Sequence, residues 1–301
     1  MAEIRLGVAP IAWMNDDLPE LGGDIPVERC LREARLAGYA GIEKSGRFPE
    51  DPERLRALLA EYGLVLVTGW FSGELYRRRL EEEQQRIAAH LDLLQRLGCS
   101  VLVYAETSGS IQGRIDTPLS RRPRMPEEEV PRYGERLTRL AEWLRGHGLA
   151  LSFHYHMGTM VERAEEVDRL FAHSGEAVGL LWDTGHAVFA GADPLALARR
   201  WAGRINHVHC KNVRARVLER ARAEDWSFLG AVREGVFTVP GDPEGMIDFG
   251  PVARLLYAAG YEGWVVVEAE QDPAKADPLH YARMGRETMA RVLGAAGYRV
   301  R

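Results

Sequence analysis

The sequence predicts a single-domain α/β fold, a (β/α)₈ or TIM barrel, and three observations predict it. Short apolar runs alternate with longer amphipathic, charged segments along all 301 residues, the pattern of βαβ units around a parallel sheet. Eight such units can be counted, and the length suits one barrel as well as two smaller domains. Polar and metal-ligating side chains collect where these strands end, the face on which barrels build their active sites.

The strands are expected at 4–9 (IRLGVA), 39–43 (YAGIE), 64–69 (LVLVTG), 100–105 (SVLVYA), 149–154 (LALSFH), 178–183 (VGLLWD), 205–209 (INHVH) and 264–268 (WVVVE). Each is short, apolar and rich in β-branched or aromatic residues, as a buried parallel strand requires. Helical periodicity fills the intervals near 26–37, 51–62, 75–97, 126–147, 161–172, 193–202, 249–259 and 278–294. Several helices run into glycine where a left-handed C-terminal cap is expected, as at Gly38, Gly63, Gly98 and Gly260. Residues 212–248 break the rhythm, with a short charged helix expected at 214–224 followed by a Gly- and Pro-rich stretch. A connection this long after the seventh strand is expected to cover the C-terminal mouth of the barrel. A second long loop, 106–125, follows the fourth strand and forms another expected wall. No internal repeat, low-complexity tract or interdomain linker interrupts the domain, which is taken as 1–301.

Bulk properties exclude several functions. A net charge of −5, with no clustered basic stripe, argues against nucleic acid. No apolar stretch approaches the roughly 20 residues of a membrane helix, and Glu3 and Arg5 interrupt the N-terminal apolar residues that a signal peptide needs. The expected setting is cytoplasmic. Cys30, Cys99 and Cys210 are odd in number and lack CxxC spacing, which speaks against disulfides and thiolate metal clusters. Neither a P-loop nor GxGxxG is present, so no nucleotide cofactor is expected.

The run Trp264–Val267 ends abruptly in acids, and a carboxylate at the end of a buried strand must be paired, hydrated or metal-bound. Its partners follow from the neighbouring strands. Strand five ends in "FHYH" (His154, His156), six in "WDTGH" (Asp183, His186), seven in "NHVHCKN" (His207, His209, Lys211) and eight in "VEAE" (Glu268, Glu270). Five of the nine histidines lie at the ends of three consecutive strands, a distribution that packing alone does not explain. Two imidazoles and two carboxylates, one from each of four strands, make a mixed N/O site for a divalent ion. Because side chains alternate along a strand, His154 and His156, His207 and His209, or Glu268 and Glu270 can share a facing, and spacing alone does not choose between them. Trp13, Asn15, Asp16 and Asp17 after strand one, Glu43, Lys44 and Arg47 after strand two, Trp70 after strand three and Glu106 after strand four extend the same rim. Such a rim suits a small, neutral, polyhydroxylated ligand.

These motifs resemble a known family. "DTGH", "HVHCKN" and "EAEQDP" are similar to motifs of the xylose isomerase-like sugar isomerase and epimerase barrels. Over nearly the whole chain, "WMNDDLP", "GWFSG", "FHYHMGT", "WDTGH", "GVFTVPGDPEGMIDF" and "GYEGWVVVEAEQDP" resemble the inosose dehydratases of inositol catabolism. The resemblance implies dehydration of 2-keto-myo-inositol to a trihydroxycyclohexanedione with Mn²⁺ or Co²⁺ as cofactor. It also implies a ligand from each of strands five to eight. Asp183, His209 and Glu268 match three of them, and His154 stands where a glutamate is usual, with His156 left for the substrate. On this reading Glu270, His156, Lys211 and Glu43 are the candidates for proton transfer, and Lys211 is either a proton donor with a depressed pKa or an electrostatic clamp. Trp13, Asn15, Asp16, Trp70, His186 and Glu106 are the candidates for holding substrate. A metal-dependent keto-sugar isomerase or epimerase shares the enolisation step and is the nearest alternative. An apurinic-site endonuclease would want a basic groove, and a polyol-binding protein would not need four metal-site strands. Association into a dimer or tetramer is expected by analogy with such barrels.

Overall fold

The computed structural model describes residues 2–301. Its strands are β1 (Glu3–Val8), β2 (Gly41–Ile42), β3 (Val65–Leu66), β4 (Trp70–Gly73), β5 (Val101–Glu106), β6 (Ala150–His154), β7 (Val178–Asp183), β8 (Ile205–Cys210), β9 (Asn212–Val213), β10 (Phe237–Thr238), β11 (Trp264–Val267) and β12 (Arg299–Val300). The helices are α1 (Val27–Leu36), α2 (Pro52–Glu61), α3 (Leu80–Arg96), α4 (Val130–Gly146), α5 (Ala164–Ala172), α6 (Thr184–Phe189), α7 (Pro194–Arg200), α8 (Ala215–Ala223), α9 (Phe228–Arg233), α10 (Phe249–Ala258) and α11 (Pro278–Ala296).

The main sheet runs β3-β2-β1-β11-β8-β7-β6-β5-β4, with all these pairings parallel. Its two ends are halves of one strand. The third barrel strand, expected as continuous over 64–69, pairs with β2 through Val65–Leu66, bends at Thr68-Gly69, and pairs with β5 through Trp70–Gly73. The chain itself therefore closes the ring, and eight barrel strands result. At the bend a Cβ on Gly69 would come 2.8 Å from the ring of His90, so only glycine fits. β12 adds to the N-terminal half of β1, pairing Glu3 with Arg299.

Two layers of apolar side chains divide according to strand alternation. Ile4, Leu6, Val8, Phe153, Leu180, Trp182, Val208, Val265 and Val267 join the large core between barrel and helices. The opposite faces point into the barrel, where Ala9, Val67, Trp264 and Val266 form a small separate cluster. Trp264 fills the space that Gly41 leaves, since a Cβ there would lie 2.8 Å from its ring. Alternation carries the inward face of β11 from Trp264 and Val266 to Glu268 and Glu270, and that of β8 through His207 and His209 to Lys211.

Helix α3 starts at Leu80 rather than 75, because residues 74–79 form a turn whose Arg77 and Arg78 amides bond Glu74. β7 passes directly into α6, a helix absent from the sequence expectation, with Asp183 as its N-cap. Residues 212–248 comprise an antiparallel β9–β10 pair, α8 and α9. Among the described residues, no helix is long and apolar enough to cross a membrane. The three cysteines are buried and free.

Candidate active site and metal centre

A cavity of about 230 Å³ opens at the C-terminal ends of the strands, lined by Asp16, Asp17, Glu43, Lys44, Trp70, Ser72, Gln112, His154, His156, His209, Glu268 and Glu270, with Ala9, Pro10, Ile11 and Val103. That is below the roughly 300–1,000 Å³ of drug-sized ligand sites, and it suits a single small ring. A larger depression of about 430 Å³ beside α10 and α11 lacks this concentration of ligating groups.

Four side chains converge from four strands beneath the cavity. Asp183 Oδ2 lies 3.9 Å from His154 Nε2 and 3.6 Å from His209 Nδ1, which is 3.2 Å from Glu268 Oε2. His154, Asp183 and His209 lie close enough to ligate one ion. Ligand atoms each about 2.1 Å from a shared ion stand roughly 3–3.5 Å apart, close to this spacing. The hydrogen bonding independently favours a cation. His154 Nδ1 is engaged by the Tyr155 carbonyl at 2.6 Å, which leaves Nε2 with its lone pair free. His209 Nε2 is engaged by Glu43 at 3.0 Å, so Nδ1 is the nitrogen that faces Asp183 and Glu268, and against the effect of burial Glu268 and Glu43 raise the ring's pKa well above the usual range, a demand for positive charge at this point. Asp183 Oδ2 and His209 Nδ1 are buried without a hydrogen-bond partner. Acceptors gathered in a buried site need a positive centre among them, and with two imidazoles and two carboxylates the donor set fits a divalent cation.

The local sequence explains the convergence. Asp183 caps α6 by accepting from the His186 amide through Oδ1 at 2.8 Å, which turns Oδ2 toward the centre. Gly185 in the "DTGH" run lets the Lys211 stem pass, since a Cβ there would meet Lys211 Cγ at 2.5 Å. Lys211 is wholly buried, and its Nζ contacts Glu268 Oε1 at 2.6 Å, Glu270 Oε1 at 2.7 Å and His186 Nε2 at 3.1 Å.

Burial and these pairings set the charges. Burial would lower the Lys211 pKa, but Asp183, Glu268 and Glu270 outweigh it and raise it above the usual lysine range. The protein's own charges thus hold Lys211 in its charged form, the direction opposite to the depression expected beside a metal. Burial raises Glu270 to about 7, with Lys211 opposing and Glu268 adding. It lowers His154 to about 3 and, with help from Lys211, His156 to about 4. Burial alone would raise Glu43, yet His209 and the bonds from both neighbouring imidazoles bring it to about 2. Asp17, raised by burial and by Asp16, faces the cavity with no side-chain hydrogen bond.

The structure places the remaining candidates unevenly. Trp70 stands on the cavity wall, edge-on to His154 and His156 with ring centroids 5.4 and 5.3 Å away. Asp16 lines the mouth while accepting from Ser45 Oγ and the Gly46 amide. His156 lies on the wall beside His186 and Glu270. Four of the residues expected to touch substrate do not line the cavity. Trp13 is fully buried and donates to Glu33 Oε2 at 2.7 Å, because its indole packs into the outer core. Asn15 is buried, and its Oδ1 accepts from the Asp17 and Leu18 amides, so it shapes the loop instead of lining the cavity. Glu106 accepts from the Tyr76 and Ser108 amides behind the wall, where it ties two loops together. His186 also lies off the cavity surface, against Lys211 and the rings of His156, Phe228 and Phe237.

Sequence reasoning missed Ser72, Gln112 and Phe228. Ser72 follows Trp70 by two residues in β4, a spacing that signals a shared face. Gln112 comes from an irregular loop with no periodic signal, and its Oε1 is buried without a partner. Phe228, from α9 in the long connection, packs on His156 with centroids 4.9 Å apart. It brings residues 212–248 onto the site, against His156 and His186.

A sequence profile described as xylose isomerase-like TIM barrel matches residues 31–291. The chain belongs to the xylose isomerase-like TIM barrel family. Within this family it is 52% identical over 300 residues to the rhizopine catabolism protein MocC of Rhizobium meliloti, covering 100% of this chain and 92% of that one. It is 45% identical to the inosose dehydratase of Geobacillus thermodenitrificans, covering 97% and 98% of the two chains. Among solved structures of the same barrel, the IOLI protein with a bound zinc atom superposes with a TM-score of 0.69 at 16% identity, covering 97% and 99%.

Proposed function

We propose that this chain is a metal-dependent inosose dehydratase of inositol catabolism, converting 2-keto-myo-inositol to 3D-trihydroxycyclohexane-1,2-dione. The observation that carries this reading is the convergence of His154, Asp183, His209 and Glu268, with two buried atoms lacking any partner, at the floor of a cavity sized for one ring. Full-length similarity to several proteins named inosose dehydratase supports the substrate and the reaction. His154, Asp183, His209 and Glu268 would hold the cation, and Mn²⁺ or Co²⁺ suits a thiolate-free, mixed nitrogen and oxygen set. A divalent ion there supplies fixed positive charge to the ketone oxygen as negative charge develops on it.

The protein groups divide the rest of the chemistry. Elimination of water β to a ketone needs one proton taken from the α-carbon and one given to the departing hydroxyl. His156 Nδ1 is held by the Met157 carbonyl at 2.9 Å, so Nε2 carries the lone pair that accepts the α-proton. The C–H electrons form the enolate double bond; as the ketone re-forms, that pair makes the Cα–Cβ double bond and the β C–O pair departs with the hydroxyl, to which Glu270 gives its proton, so that water leaves and the enol of the dione remains. Glu270 is buried at the cavity wall with Oε2 unpaired, and it groups with His156, so the abstracted proton can return to it and restore the starting state. Lys211 clamps Glu268 and Glu270 side by side. Trp70 offers an apolar face for ring C–H groups, while Asp16, Asp17, Lys44, Ser72 and Gln112 face the hydroxyls.

The test is incubation of metal-stripped protein with 2-keto-myo-inositol, with and without Mn²⁺ or Co²⁺, following the ultraviolet absorbance of the enolised dione. Metal-dependent growth of that band is expected, with its loss together with metal retention in Asp183→Asn. A protein that binds the metal but never yields the band overturns dehydration and leaves enolisation of another keto-sugar. Full activity in Asp183→Asn overturns the metal centre.

A further inference from the structure

We propose that Glu43 is a positioning residue, pinned by His207, that fixes the tautomer and aim of His209 toward the divalent cation. The inference rests on the reading of His154, Asp183, His209 and Glu268 as a metal centre. Glu43 follows β2, separated from β8 around the barrel by β1 and β11, and a single one of its oxygens, Oε1, engages His207 Nε2 at 2.7 Å and His209 Nε2 at 3.0 Å. All three side chains are buried.

Geometry assigns each member a task. An imidazole whose Nε2–H donates to a carboxylate keeps its lone pair on Nδ1, and Nδ1 of His209 points at Glu268 Oε2 and Asp183 Oδ2. The carboxylate behind the ring also makes it a stronger donor to a metal and stops it from turning. His207, two residues earlier on the same inward face of β8, lies one layer deeper and donates to the same oxygen, so the carboxylate cannot swing up into the cavity. The trio Glu43, His207 and His209 has ligating atoms near enough to hold an ion of its own. Its Nε2 atoms are already committed to Glu43, however, so hydrogen bonds explain the cluster without a second cation. Glu43, counted among the proton-transfer candidates from sequence, thus acts through His209.

The test is calorimetric titration of the metal-stripped full chain with Mn²⁺, comparing the native protein with Glu43→Ala, Glu43→Gln and His207→Asn. Supporting this role, Glu43→Ala weakens Mn²⁺ binding by about 10–100-fold, the cost usual for losing an outer partner of a metal-bound histidine. Glu43→Gln keeps an oxygen that accepts from both rings but loses the charge, so it weakens binding less, and excess Mn²⁺ restores its turnover. His207→Asn weakens binding in the same direction, and the visible absorption of Co²⁺-loaded protein shifts in each variant. These conservative variants keep the test decisive if Glu43→Ala fails to fold. Native Mn²⁺ affinity in Glu43→Gln and His207→Asn, with turnover lost at saturating metal, overturns the positioning role and puts Glu43 on the substrate. Failure of the native chain to take up Mn²⁺ overturns the metal centre and this inference together, so the two failures are distinct.

Discussion

Asp183 divides its work between its two oxygens. Oδ1 closes the first turn of α6 and Oδ2 faces His154 and His209, so one residue couples the start of a helix to the proposed metal site. Asparagine caps helices as well as aspartate does, so Asp183→Asn separates metal loss from helix loss. Glu270 gives a sharper division. Glu270→Gln keeps the shape of the wall but cannot carry a proton, so kcat is expected to fall by about 10²–10⁴-fold with Mn²⁺ affinity within a few-fold of native. Steady-state kinetics beside metal titration check it, and a loss of metal binding would make Glu270 a ligand. The cluster of imidazoles and carboxylates was legible because the core needs no histidine or acid at the end of an apolar strand. The choice within each pair was not legible, because both members share the inward face and differ only in depth. His207 sits one layer below His209, and that layer decides which of them meets Glu43 alone and which also meets Asp183 and Glu268.

Between elements, the loops after the strands divide into those that line the cavity and those that brace it. Trp13 and Trp70 look alike in sequence, each an aromatic just past a strand, yet one is core and the other wall. Trp13→Phe removes the donor to buried Glu33 and is expected to cost about 1–3 kcal/mol of stability in urea unfolding, with KM unchanged. Trp70→Ala is expected to raise KM instead, by a few-fold to about tenfold, from the loss of an aromatic contact worth about 0.5–1.5 kcal/mol. Opposite outcomes would exchange the two assignments. Apart from the starts of α3, α4 and α5, the expected helices were readable to within two residues, because terminal glycines and capping acids such as Asp51, Asp193 and Asp277 mark their ends. α6 and α9 were not, since six residues carry too little periodicity to stand out. The break in the third strand also escaped notice, because "LVLVTG" reads as one apolar run and the change of partner at Gly69 depends on residues far away in sequence.

Across the whole molecule, the eight strands form a ring held with unequal strength around its circumference. From β5 to β8 the ladders are long and buried, with four or more residues paired at each step. On the other side β2 and β3 share only Gly41 with Val65 and Ile42 with Leu66. The ring is thus fastened by a clasp, and a fastened ring opens at the clasp first. Local opening costs least where few buried backbone bonds must break. Native-state amide exchange is therefore expected to release Val65, Val67 and their β2 neighbours well before the amides of β6 and β7, with equal protection around the ring as the contrary result. Since Trp70 begins the half-strand just beyond the clasp, each such opening is expected to loosen one wall of the cavity before it reaches the strands that carry His154, Asp183, His209 and Glu268.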